Sequence, residues 1–129
     1  MKRLLMTLLP ALGPLHAMAA PLGVVGIDIA TRSRVHYTCD DGKTITARYL
    51  NARNGQGFAL LRIGGKTMLF VDTLSASGAR YVAGRYVWWT KGPSATLYDG
   101  MTGDNAPPML ANCQSRQALP GAAPMRNAK

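Results

Sequence analysis

Glutamate is absent from this chain: the six acids among its 129 residues are all aspartates, set against fifteen lysines and arginines. Paired-carboxylate hydrolysis needs two acids that converge. The one adjacent pair, Asp40 and Asp41, diverges in any strand or turn. Histidine is nearly absent too, with only His16 and His36. His36 falls between Arg34 and Thr38 on the polar face of an alternating segment, which reads as a solvated side chain. With so few imidazoles, two cysteines and aspartates mostly in turns, no metal site is expected. No glycine-rich loop leads into a helical pattern, so nucleotide phosphate binding has no support. The chain is therefore read as a non-enzyme that needs no cofactor.

A long hydrophobic run is also missing. Lys2 and Arg3 precede the apolar residues 4–9, but Pro10, Gly13, Pro14 and His16 break the stretch well short of a bilayer span. Ala17-Met18-Ala19 supplies a small-x-small cleavage pattern, so residues 1–19 are expected to be a signal peptide, with a buried N-terminal helix as the alternative. Removal leaves 129 − 19 = 110 residues and a charge of 9 − 2 = +7, enough for one modest core. No cysteine stands directly after the cut, so a soluble periplasmic or secreted protein without a stable membrane anchor is expected. Its charge should attract anionic surfaces, and export argues against nucleic acid as the target. In an oxidising compartment Cys39 and Cys113 are expected to pair, with two free buried thiols as the alternative. The closed loop of about 74 residues is worth on the order of 4 kcal/mol in the chain-entropy model.

What is present is a series of short alternating segments between turn signals. Residues 34–39 alternate Val35, Tyr37 and Cys39 with polar neighbours, and Asp40-Asp41-Gly42 forms a turn. Residues 44–49 alternate Ile45, Ala47 and Tyr49 with Thr44, Thr46 and Arg48, before a second turn in residues 51–57. Residues 58–63 and 67–71 flank Gly64-Gly65, a hairpin signal. Both are apolar at nearly every position, as expected of sheet covered on both sides. Residues 85–90 and 95–98 form another hairpin, and 109–113 make a closing strand. The expectation is an all-β fold, a small antiparallel barrel or sandwich. Residues 20–33 are an N-terminal extension, either an extra strand or a loose leader, 34–115 the folded body, and 116–129 a disordered tail.

Two stretches stand out for function. Ser75-Ala76-Ser77-Gly78-Ala79-Arg80-Tyr81 is small and flexible, then bulky, as suits a loop that protrudes into a concave partner. Trp88-Trp89-Thr90-Lys91-Gly92 ends a strand with aromatics and puts a cation at the turn. Trp89 shares a face with Val87 and Lys91, and Trp88 shares the other with Tyr86, so one indole is core and the other nearer the surface.

These stretches resemble the two signature motifs of the MliC/PliC family of bacterial c-type lysozyme inhibitors, and Cys39 and Cys113 resemble its disulfide pair. The likeness covers roughly residues 35–115. After Gly92 the chain departs from the pattern, with Pro93 and Ser94 in place of an acidic pair. The resemblance implies an antiparallel barrel of about eight strands closed by one disulfide. It implies a c-type lysozyme as partner and the soluble periplasmic branch as the nearer match. It further implies that Ser77 and Lys91 meet the two catalytic carboxylates of the lysozyme, with Gly78, Arg80, Tyr81 and Gly92 as neighbouring contacts. For Tyr81, packing inside the fold is the competing reading. Two other functions stay open. A Ser77–Lys91 dyad would need a desolvated lysine. An exported module for an anionic envelope polymer or lipid would use the net charge alone.

Overall fold

A computed structural model describes Gly13, residues 23–103 and residues 105–116. Eight strands follow one another: β1 (Ile29–Thr38), β2 (Thr44–Ala52), β3 (Gly57–Ile63), β4 (Lys66–Thr73), β5 (Ala79–Ala83), β6 (Tyr86–Lys91), β7 (Ser94–Asp99) and β8 (Leu110–Ser115). Each pairs antiparallel with the next and β8 returns to β1, giving a closed barrel. Closure matters because an open sheet would leave unpaired N–H and C=O groups along its edges. The closing seam is short, with only Tyr37↔Ser115 and Thr38↔Gln114 in register. The Cys39–Cys113 disulfide lies beside this seam with both cysteines buried. The covalent link thus sits where the hydrogen-bonded ladder is thinnest.

The interior follows from period-2 alternation. Tyr37, Ile45, Ala47, Ala59, Leu61, Phe70, Tyr81, Trp88, Ala95 and Leu97 all belong to the buried cluster. Three aromatic residues bring polar groups inside and satisfy them mutually. Trp88 Nε1 donates to Tyr49 Oη at 2.9 Å, and the Tyr49 and Tyr37 hydroxyls lie 2.9 Å apart. Tyr37 meets Trp88 edge-on with ring centroids 5.2 Å apart, and Tyr81 lies 5.6 Å from Tyr49. No buried side-chain polar atom is left without a partner among the described residues. Burial raises the pKa of Tyr49, Tyr37 and Tyr81 above the ordinary tyrosine value.

Three details differ from the sequence-based expectation. The barrel begins at Ile29 rather than at residue 34, so part of the proposed extension is strand. A register shift between Ile29 and Thr31 and the polar run that follows hide the alternation. This early part of β1 pairs with the end of β2, where Leu50 and Ala52 face outward beside Phe58. Ile27 and Ile29 cover these three residues, which makes a small second core outside the barrel. Secondly, β4 is not covered on both sides: Leu69 and Val71 remain 36% and 39% exposed. Thirdly, residues 79–83 form a strand of their own, which the small residues before them had masked. The signal-peptide residues 1–12 and 14–19 and the tail residues 117–129 lie outside the described part.

Candidate functional site

Because consecutive strands alternate in direction, the β4–β5 and β6–β7 connections open at the same end of the barrel. Strands β5 and β6 are neighbours, and Ala79 pairs with Thr90. Residues 74–78, just before β5, therefore lie beside Thr90 and Lys91, just before the β6–β7 turn. The two motifs, separate in sequence, form one rim.

Gly78 sets how closely they meet. Its φ is +66°, and a Cβ there would stand 2.1 Å from the Thr90 carbonyl oxygen and 2.9 Å from Lys91 Cγ. Only glycine lets the loop backbone lie against the end of β6. Ser75 Oγ donates to the Gly78 carbonyl at 3.0 Å and closes the loop on itself. Trp89 ties the halves together. Its Nε1–H donates to the Ser77 carbonyl at 2.9 Å, and Lys91 Nζ lies over its ring, 4.8 Å from the centroid. One indole therefore anchors the loop through its edge and the ammonium through its face. Ser77 and Lys91 are both exposed, and among the described residues neither the Ser77 hydroxyl nor the Lys91 ammonium has a hydrogen-bond or ion-pair partner.

The other expected contacts divide. Arg80 is half-buried on β5, where its guanidinium donates to Thr73 Oγ1 at 3.1 Å and braces the root of the loop. Gly92 begins the β6–β7 turn at φ +55° with open space around its Cα. Tyr81 points into the barrel at 7% exposure, so it supports the rim from within and presents little surface. Period-2 alternation explains this, since Arg80 and Tyr81 must face opposite sides of β5.

Sequence reasoning grouped Trp89 with Lys91 but could not tell which tryptophan was core. Trp88 is fully buried, and Trp89 is the outward one. It also missed Leu74, which is 98% exposed at the start of the same loop. A lone apolar residue before a serine-rich turn was the available signal. Outside Trp89 a cavity of about 390 Å³ is bordered by Arg80, Val87, Tyr98, Asp99 and Pro107. Asp99 is held there by Arg85, whose guanidinium keeps its carboxyl below the usual range. Among the described residues no three His, Cys, Asp or Glu side chains gather as a metal site.

The fold and the rim define a small disulfide-closed antiparallel barrel with an exposed serine and an exposed lysine on one edge. The chain matches the MliC family, described as membrane-bound lysozyme inhibitor of c-type lysozyme, over residues 37–106. A protein of Cupriavidus necator named membrane-bound lysozyme inhibitor of C-type lysozyme is 49% identical over 112 residues, 87% of this chain and 88% of that one. Among solved structures, Pseudomonas aeruginosa MliC in complex with hen egg white lysozyme is 34% identical with a TM-score of 0.60. That match covers 78% of this chain and 98% of the other. The periplasmic inhibitor PliC-St of Salmonella typhimurium is 30% identical with a TM-score of 0.59, covering 67% of this chain and all of that one. The chain belongs to the MliC family, whose members are inhibitors of c-type lysozyme and not enzymes.

Proposed function

We propose that this protein inhibits a c-type lysozyme by inserting the rim that carries Ser77 and Lys91 into the catalytic cleft. One observation supports the reading: Trp89 bonds the Ser77 carbonyl through its N–H and carries the Lys91 ammonium on its face, so one indole joins the two exposed residues on one edge. That arrangement complements the chemistry of a retaining glycosidase, which keeps one protonated and one ionised carboxyl group close together. The serine hydroxyl donates to one oxygen and accepts from the other acid. The lysine ammonium makes a charge-assisted hydrogen bond to the ionised partner. Neither group presents a glycosidic bond, so the complex is a dead end. Gly78, Gly92, Arg80 and Leu74 surround the contact, and Tyr81 stiffens it from inside. The same geometry weighs against the Ser–Lys dyad, since Lys91 lies on the Trp89 face rather than in hydrogen-bond contact with Ser77.

Residues 1–19 are removed on export and the product works in the periplasm, a reading supported by the likeness to the periplasmic inhibitor of Salmonella typhimurium. The test is lysis of peptidoglycan by c-, g- and i-type lysozymes in the presence of the protein. Inhibition of c-type enzymes alone supports the reading, and failure against every c-type enzyme tried overturns it.

A further inference from the structure

We propose that the outer wall of β1–β4 is a docking surface for an anionic phospholipid bilayer. Arg32 and Arg34 on β1, Arg48 on β2 and Arg62 on β3 are all exposed, as is His36. Arg34 and Arg48 stand directly opposite each other in the ladder. Like charges in such a pair repel, so nothing within the fold favours the arrangement. No carboxylate among the described residues relieves it. Among the described residues the ion pairs join Lys43 to Asp41, Arg53 to Asp28 and Arg85 to Asp99. Asp40 accepts from Asn112, and Asp72 pairs with inward-facing Tyr81, which puts it on the inner side. Among the described residues the wall is thus a single-sign surface, and an external anion satisfies it.

The neighbouring residues say which anion. The row Arg34–Arg48 continues in register to Leu60 on β3 and Leu69 on β4. The next row runs Arg32, Leu50, Phe58 and Val71. Leu69 and Val71 are the exposed apolar members. Cations beside exposed apolar side chains suit a lipid interface, where guanidinium groups meet phosphates and aliphatic groups enter the headgroup–acyl boundary. A soluble acidic glycan would use the arginines and leave the apolar residues in water. Both cysteines of the chain are in the disulfide, so this wall attaches without an acylated thiol. In the closed order β2 and β6 stand four places apart of eight and face each other across the barrel. Docking through β1–β4 therefore leaves β5–β7 and the Trp89 side turned to solution. The proposal is independent of lysozyme inhibition.

The test is co-sedimentation of the protein, purified as its cells release it, with phosphatidylcholine vesicles made with or without phosphatidylglycerol. The wild type should bind only the anionic vesicles. Arg34→Gln with Arg48→Gln should weaken that binding on the order of thirtyfold, from the attraction typical of two basic residues at an anionic leaflet. Lys91→Gln with Arg85→Gln removes the same charge from the β6 end and the β5–β6 turn, off the wall, and should weaken it only about twofold, through net charge. Leu69→Ser should weaken vesicle binding and leave binding to soluble dextran sulfate unchanged. Equal losses for the two double variants, or a Leu69→Ser protein that binds vesicles like wild type, would overturn the proposal. Should the Arg34/Arg48 variant fail to fold, Arg32→Gln with Arg62→Gln carries the same comparison.

Discussion

Replacing Gly78 by alanine tests the rim geometry at its tightest point. The left-handed backbone costs an L-residue roughly 1–2 kcal/mol by itself. The new methyl would also sit 2.1 Å from the Thr90 carbonyl oxygen, a backbone atom of β6 that cannot swing aside. The loop must lift, and the Trp89 Nε1–Ser77 carbonyl bond is lost with it. A neutral hydrogen bond contributes about 1 kcal/mol, so the total is on the order of 2–3 kcal/mol. At roughly 4–8 °C per kcal/mol for a domain of this size, the melting temperature should fall by about 10–20 °C. Gly92→Ala is the matched control. Its φ is +55° but nothing lies within 4 Å, so it incurs the backbone cost alone. Calorimetry of the two variants gives the stability difference, and inhibition assays on the folded fraction give the functional one. Gly78→Ala should lose inhibition at temperatures where it is fully folded, because Ser77 is no longer held beside Lys91. A Gly78→Ala protein that melts and inhibits like Gly92→Ala would refute the reasoning.

Trp89→Phe keeps a ring under Lys91 and removes the N–H, so it should weaken inhibition by about fivefold, the worth of one neutral hydrogen bond. Trp89→Leu loses the π face as well and should weaken it further; indistinguishable inhibition constants for the two would remove the ammonium contact from the account. Reduction of Cys39–Cys113, which closes a separation of 74 residues, should lower the melting temperature by more than about 10 °C, and an unchanged melt would contradict its placement at the thin seam. Stability should be level from neutral pH up to about pH 10 and fall above it. The unfolded tyrosines ionise near their ordinary value, whereas burial holds the folded Tyr49, Tyr37 and Tyr81 hydroxyls protonated to higher pH. Melts that stay flat well beyond pH 10 would show those hydroxyls to be solvated.

The barrel was legible wherever alternation was clean. Ile45, Ala47 and Tyr49 share one face as read, and that face is the interior; Gly64-Gly65 formed the expected hairpin with both φ values positive. It was illegible where an external contact broke the pattern. Leu50 follows Tyr49 as a second consecutive apolar residue because Ile27 and Ile29 cover the outside there. No local rule shows that. Likewise β4 reads as two-sided core, yet Leu69 and Val71 remain more than a third exposed. At the rim, motif resemblance selected Ser77 and Lys91, and alternation placed Trp89 with Lys91. The bond from Trp89 to the Ser77 carbonyl is a tertiary fact between strands, fixed by the β5–β6 register, and needed the fold.

The most direct test of the central claim is a set of inhibition curves against a c-type lysozyme for wild type, Lys91→Ala, Ser77→Ala and the off-rim control Arg48→Ala. Loss of one partner of a desolvated charged contact costs about 2–5 kcal/mol, so Lys91→Ala should weaken inhibition roughly thirtyfold or more. Ser77→Ala should cost about 1–2 kcal/mol. Arg48→Ala should alter little beyond the salt dependence. Equal weakening by all three changes, abolished by added salt, would contradict the account and leave a polycation in place of a cleft-filling inhibitor.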